Sequence, residues 1–419
     1  MQNQIKFIFI ILVSFSLWGI SFEQIASGKD YTGKENSFFN IEWSSDSNYL
    51  TVEMYMDSLS SKTRKLYLID PRSDFSLIPL VIESDKDEEG WGPTFKIAER
   101  NYGWVTTEDE YRMYAMLDET KKIRDYYIYE VNETELDSEI NIVYDLDPND
   151  PIGDLVNYDL KYPIRQYSIG EKSFYFNTIA EPDRMWTFPH DITVINIDGK
   201  DRKLDEFQYG VIKYGNENKF NLNISSISVS KNENKILVVC YNENQSEVLM
   251  LTKNEHYYGE WDKTKHLNPK IEIIKKPVPE KTNYLYGLID PNNDNRFILI
   301  SREQENINQK SLDKNLAKVF VMNNNELEGD FIMYRDAEHS VIYNTPEIQF
   351  HPLNSNIYFI DDIGCNKCLK YFDINEKVVK DINLDRDNIM NFKFSPDGEF
   401  LIVSTHAPQD IYLYEIIND

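Results

Sequence analysis

Between Asn391 and Phe394 apolar and polar residues alternate, the chain breaks at Ser395-Pro396-Asp397-Gly398, and an apolar run resumes over Phe400–Val403. Alternation with a period of two marks a half-buried strand, and a Pro-Asp-Gly break between two such runs marks a hairpin. Asp410–Ile416 alternates again and reads as a third strand.

The same three-strand phrase recurs along the chain. It appears as Phe39–Val52 with Lys65–Asp70, Tyr102–Ala115 with Tyr126–Val131, and Arg165–Phe176 with Ile192–Asp198. Three more copies are Ile224–Val239 with Val248–Thr252, Leu285–Ile300 with Val319–Met322, and Ile348–Ile360 with Leu369–Asp373. Taking the turn of each hairpin as its anchor places the seven copies at residues 46, 108, 170, 232, 292, 353 and 397, spaced by 62, 62, 62, 60, 61 and 44. Such regularity is the mark of a repeat architecture, in which each unit buries its apolar face against its neighbours. The expected fold is all-β: a seven-bladed β-propeller of four-stranded antiparallel blades, starting near residues 39, 102, 165, 224, 285, 348 and 391. Six blades with one irregular unit are the alternative. A period near 60 exceeds the roughly 40–50 of compact propeller repeats, so long connections between strands are expected, and binding residues concentrate on such connections.

The phrase Phe394-Ser-Pro-Asp-Gly-Glu-Phe-Leu401 resembles the repeat of TolB-like and WD-repeat-like β-propellers, with weaker echoes at Phe350-His-Pro-Leu-Asn354 and Trp43-Ser-Ser-Asp-Ser47. The resemblance implies four-stranded blades around a central channel and carries no catalytic residues with it. Trp-Asp repeat ends are missing, and no α/β domain precedes the repeats as in TolB, so a Tol-system role is not implied. The last copy ends soon after its third strand, and a segment within Phe22–Asn36 is expected to supply the missing outer strand and close the ring, removing an exposed edge.

The first residues change the picture of where the chain works. One positive charge at Lys6, an apolar run from Phe7 to Leu17 extending to Phe22, and small residues Gly19 and Ser21 have the layout of a secretory signal over residues 1–21. An uncleaved anchor and a buried strand are the alternatives. Residues 22–419 would then form a single propeller domain that is periplasmic, cell-surface or secreted, with no membrane span after cleavage.

Aromatic residues make up 13% of the chain while Gly and Pro number 16 each, which fits a packed β-rich protein. Lys and Arg total 44 against 71 Asp and Glu, a net charge of −27. Nucleic acid is excluded as a partner, because a phosphate-tracking surface needs clustered cations. The acidity gives a solvated surface that keeps copies apart, consistent with a monomer, and it favours a basic partner or bound cations.

Candidate chemistry is sparse. Of the three cysteines, Cys365 and Cys368 share one short connection and form a disulfide candidate pinning it; two free thiols, or a metal or redox site, are the alternatives. Cys240 lies in an apolar strand and reads as core. The sets Asp85/Asp87/Glu89, Asp145/Asp147/Asn149 and Asp290/Asn292/Asp294 have calcium-like spacing but no bidentate Glu at the twelfth position, and solvated turns are the plainer reading. The six histidines, at 190, 256, 266, 339, 351 and 406, show no ligand spacing, and no Gly-x-Ser-x-Gly or phosphate-cradling loop occurs. No catalytic residue, metal ligand or cofactor is assigned. The pattern favours a non-enzymatic binding or scaffold module that presents its loops to a protein or peptide partner. A hydrolase or lyase with a channel-mouth active site, possibly cation-dependent, is the alternative.

Overall fold

The computed structural model describes residues 20–27, strand segments and short turns between 37 and 209, and residues 223–418 with gaps at 242–245, 254–256, 262–263, 268, 278–283, 304–314, 336–346, 362–366 and 407–408. All regular structure among the described residues is strand. The chain opens with β1 (Ile20–Ser27), and the remaining strands follow in groups. The first group is β2 (Ser37–Trp43), β3 (Leu50–Tyr55), β4 (Arg64–Ile69) and β5 (Leu77–Ile82); the second is β6 (Ile97–Thr106), β7 (Tyr111–Leu117), β8 (Lys122–Ile128), β9 (Ile140–Ile142) and β10 (Tyr158–Asp159). The third is β11 (Ile164–Ile169), β12 (Ser173–Thr178), β13 (Ile192–Asn196) and β14 (Asp205–Tyr209). The fourth is β15 (Asn223–Val229), β16 (Lys235–Tyr241), β17 (Ser246–Thr252), β18 (Tyr257–Trp261), β19 (Thr264–Leu267) and β20 (Lys270–Ile273). The last three are β21 (Tyr284–Asp290), β22 (Asn293–Glu303), β23 (Asn315–Asn323) and β24 (Glu326–Arg335); β25 (Ile348–Phe350), β26 (Ile357–Asp361), β27 (Cys368–Asp373) and β28 (Val378–Asp381); and β29 (Ile389–Phe394), β30 (Phe400–His406) and β31 (Gln409–Asn418).

These strands sort into seven sheets, each built on an antiparallel meander, and the first strands of sheets seven and one, one and two, three and four, and four and five lie against one another. That is the plan of a β-propeller. Sheet seven, β1-β31-β30-β29, takes its outer strand from the other end of the chain: β1 runs antiparallel to β31 from Ile20↔Asn418 to Ser27↔Tyr412. The closing segment thus begins two residues ahead of Phe22, where the sequence placed its start.

Two sheets depart from four strands. β9, from the connection between β8 and β10, adds to the outer edge of sheet one parallel to β5. The hairpin β18–β19, from the connection between β17 and β20, adds to sheet three through a parallel pairing of β19 with β14. In both cases a long connection of one sheet becomes an outer strand of the sheet before it. The long period of the repeat is therefore spent partly on strands, where the sequence pattern suggested loops.

The core lies between sheets as much as within them. Ile298, Ile300, Val319 and Phe331 of sheet five pack with Ile348, Phe350, Phe359 and Phe372 of sheet six in one buried cluster. Phe331 stacks on both Phe359 and Phe372, with ring centroids 4.8 and 4.9 Å apart. Leu237, Val239 and Met250 of sheet four pack with Ile289, Phe297 and Phe320 of sheet five. Gly287 permits this seam to close, since a Cβ there would stand 2.8 Å from Leu237 Cδ2 and 3.0 Å from Val239 Cγ2.

A hydrogen-bond latch recurs from sheet to sheet. The penultimate residue of a first strand accepts the backbone N–H near the end of the next: Val229 N–H donates to Ser168 Oγ (3.2 Å), Ile289 N–H to Ser228 Oγ (3.0 Å) and Phe394 N–H to Gln349 Oε1 (3.3 Å). Between sheets seven and one the parts are exchanged, and Trp43 Nε1–H donates to the carbonyl of Lys393 (3.4 Å). Ser226 also spans sheets four and five, donating to the carbonyl of Gly287 and accepting from its N–H, both at 3.1 Å. Ser228→Ala leaves a buried N–H without a partner and is expected to destabilise by about 1–3 kcal/mol. A urea titration that shows no change in midpoint would remove the latch from any stabilising role.

Candidate interaction surface

The first-strand hairpins carry Asp290, Asn292, Asp294 and His351 of the polar residues singled out from sequence. In sheet seven Ser395 Oγ–H donates to Asp397 Oδ1 (2.6 Å) while Phe400 N–H donates to Ser395 Oγ (2.9 Å), and Glu399 N–H donates to Asp397 Oδ1 (3.0 Å). Sheet four repeats this with Ser230, Asn232, Asn234 and Lys235, at 2.9 to 3.0 Å. The residue after the Asx is left-handed in both turns: Gly398 at φ 71° and Glu233 at φ 57°. Ser47 at φ 66° holds the matching place in sheet one. Of these three turns only that of the seventh copy uses glycine, which is why the Ser-Pro-Asp-Gly phrase fades in the first and fourth.

Neighbouring turns are tied to one another. Arg72 bridges sheets one and seven, donating to the carbonyl of Ser47 (2.6 Å), to Asp397 (2.7 Å) and to Glu399 (3.1 Å), with its guanidinium over the Phe400 ring. Asn232 Nδ2 donates to Asp294 Oδ2, and Asn292 Nδ2 donates to the carbonyl of His351 (3.0 Å).

These ties account for the Asp290/Asn292/Asp294 set. Asp290 is fully buried, accepting Asn292 N–H through one oxygen (2.9 Å) and Arg296 through the other (3.3 Å). Its oxygens and those of Asp294 serve different partners and do not converge on one point. The Asp85 and Asp145 sets lie outside the described residues. Among the described residues no three His, Cys, Asp or Glu side chains group as metal ligands.

Cys240 is buried in the core cluster of sheets three and four, as its apolar strand implied. Cys368 opens β27 and is disulfide-bonded, whereas Cys365 lies outside the described residues. Of the histidines, 190, 256 and 339 also lie outside them, and His266 and His406 fall in β19 and β30.

His351 stands where Ser395 stands in sheet seven, 2% exposed, its Nδ1 accepting Leu353 N–H (3.2 Å) and its ring against Tyr358 and Phe394. Burial lowers its pKa from the ordinary 6.5 to about 4. Between these values the unfolded chain carries the extra proton, so stability is full above pH 6.5 and falls as pH drops towards 4. The shift corresponds to a loss of about 3 kcal/mol. His351→Asn keeps an acceptor for Leu353 N–H and is expected to flatten this slope in urea titrations between pH 4 and 7; a slope equal to the parent's would assign the titration elsewhere.

The exposed apolar residues occupy a different place. Ile273 (55% exposed) is on β20, Leu327 (50%) and Ile332 (42%) on β24, and Val378 and Val379 on β28. These five sit on the outermost strands of three successive sheets, four, five and six, whereas Leu353, 58% exposed, lies in the turn between β25 and β26. Sequence reasoning expected the binding surface on loops; these residues look like the apolar half of any buried strand, and only the sheet order reveals that they lie on outer strands and meet solvent.

No protein-family model matches the sequence, and no curated protein matches it. Among solved structures, the chain is similar to the β-propeller domain of Cps50 (Swd1) from Myceliophteria thermophila, at 8% identity over 94% of this chain and 100% of that one with a TM-score of 0.49. It is similar to the Pan2 WD40 domain of Neurospora crassa, at 10% identity over 95% and 96% with a TM-score of 0.47. A puromycin-hydrolysing peptidase of Mycobacterium tuberculosis matches 92% of this chain at 10% identity and a TM-score of 0.50, and the chain spans 51% of that protein. At such identities the likeness concerns the fold alone, and the seven sheets described above make this chain a β-propeller.

Proposed function

We propose that this protein is an exported, monomeric binding scaffold that holds a protein or peptide partner on the rim of its propeller. The observation that carries this reading is the placement of Ile273, Leu327, Ile332, Val378 and Val379 on the outermost strands of three successive sheets. Solvated apolar side chains gathered along one arc favour burial by a partner. The carboxylates of the described central turns, by contrast, are engaged in holding those turns together. Export rests on the signal-like residues 1–21. Cleavage after Ser21 leaves Phe22–Ser27 of the closing strand, which keeps its register from Phe22↔Ile416 to Ser27↔Tyr412. A Cys365–Cys368 bond suits an oxidising compartment.

The test is crosslinked affinity purification from the envelope or secreted fraction of the source, with the parent protein and an Ile332→Lys/Val379→Lys variant side by side. A stoichiometric partner held by the parent and lost by the variant supports the rim. A partner held equally by both moves the binding surface to another face, and none from either leaves the scaffold reading without support.

A further inference from the structure

We propose that the outer edge of β24 takes up an extended peptide of alternating apolar and basic residues, as a further strand of sheet five running parallel to β24. This rests on the scaffold reading and specifies its partner.

The molecule performs the same addition on itself twice. β9 extends sheet one beyond β5 and β19 extends sheet three beyond β14, each in parallel register. Outer strands of this propeller therefore accept an added strand without rearranging the meander beneath them. A strand edge offers main-chain donors and acceptors at a fixed repeat, and pockets or charges beside it select the side chains.

Among the described residues no strand pairs with the outer edge of β24. At ten residues it is longer than β5, with six, and β14, with five, so it offers more edge than either strand already extended. The outer edges of the two flanking sheets are guarded by shortness and charge: β20 has four residues with Lys270 exposed, and β28 has four with Asp381 87% exposed. β24 carries no lysine, and its exposed charges, Glu326 and Asp330, are acidic, so they would repel an acidic strand and favour a basic one.

The side chains along β24 define the occupant. Leu327, Asp330 and Ile332 register with Met322, Phe320 and Lys318 of β23, and Met322 and Phe320 share the face turned towards sheet four. That face of β24 thus reads apolar, acidic, apolar, with Asp330 43% exposed and already drawing Lys318 to 2.9 Å. An incoming strand that alternates Val, Ile or Leu with Lys or Arg matches it. A second copy of the chain does not, because two molecules of net charge −27 repel.

The experiment uses the chain from Ile20 and a fluorescein-labelled decapeptide of alternating Val and Lys, read by anisotropy and by hydrogen exchange. Two further decapeptides complete the set: alternating Val and Glu, and the Val/Lys sequence with every second amide N-methylated. Expected are saturable binding of the Val/Lys peptide, new protection confined to residues 326–335, and at least tenfold weaker binding of both control peptides. Asp330→Lys and Ile332→Lys should each weaken binding tenfold or more with unchanged Tm. Asp381→Lys, which alters net charge equally on the neighbouring sheet, should leave binding within twofold. Equal binding of the N-methylated peptide, protection elsewhere, no binding, or a concentration-dependent dimer protected at β24 would each overturn strand addition. A native partner captured equally by the parent and Ile332→Lys would overturn it too, while leaving the scaffold reading standing.

Discussion

A chain that begins at Gly28 is expected to lose its closed ring. Compared with a chain beginning at Ile20, it lacks all of β1 and leaves the whole outer edge of β31 unpaired. It also removes Ala26, which is 2% exposed among Ile41, Trp43, Leu50, Ile402 and Leu413, and Gln24, which accepts a hydrogen bond from Arg386 (3.1 Å). Sheets one and seven then remain joined only through side chains such as Trp43 and Arg72. The Tm should fall by more than about 10 °C, given that each kcal/mol is worth some 2–4 °C in a domain of 150–250 residues. Sedimentation should show association through the bare edge of β31. An unchanged Tm and a monodisperse monomer would mean that the ring is held without its closing strand.

Phe331→Ala should be the most damaging single substitution on the outer strand of sheet five. The ring is 6% exposed and lies between Phe359 and Phe372 of sheet six, so its removal opens a cavity in the seam between two sheets. Truncations of this kind cost about 3–5 kcal/mol. Ile332→Ala, one residue on and 42% exposed, should change stability by no more than about 0.5 kcal/mol. Urea denaturation of the two variants compares the faces of one strand. Similar losses from both would contradict the assignment of Phe331 to the seam and Ile332 to solvent.

The repeat was legible because its carrier is periodic burial. Phe394, Phe350 and Trp43 each end an inner strand at an apolar position, and each is buried. Spacing alone therefore located the hairpins, even where the turn residues had drifted from Ser-Pro-Asp-Gly to His-Pro-Leu-Asn. The latches were not legible, since Ser168, Ser228 and Gln349 look like the ordinary polar half of an alternating strand. Their role depends on a neighbour about 61 residues away, in two cases, and 45 in the third. The candidate surface was hidden for the same reason. Nothing in Leu327 or Ile332 distinguishes an outer strand from an inner one until the order of strands in the sheet is known. Asp290 shows the converse: its calcium-like spacing read more plainly as a solvated turn, and the folded chain makes it a turn residue that is buried, its two oxygens turned to Asn292 and Arg296.

Ring closure also sets a clock for synthesis. β1 is among the first segments made, yet its partner β31 is complete only at Asn418, about 390 residues later. At roughly 5–20 residues per second that interval is about 20–80 seconds. The outer edge of sheet one likewise waits for β9, and that of sheet three for β19. A nascent chain interrupted at any point in between carries an unsatisfied strand at its very start, open to chaperones and proteases. The junction of β1 and β31 is thus a check on synthesis: only a chain translated through β31 can hide β1.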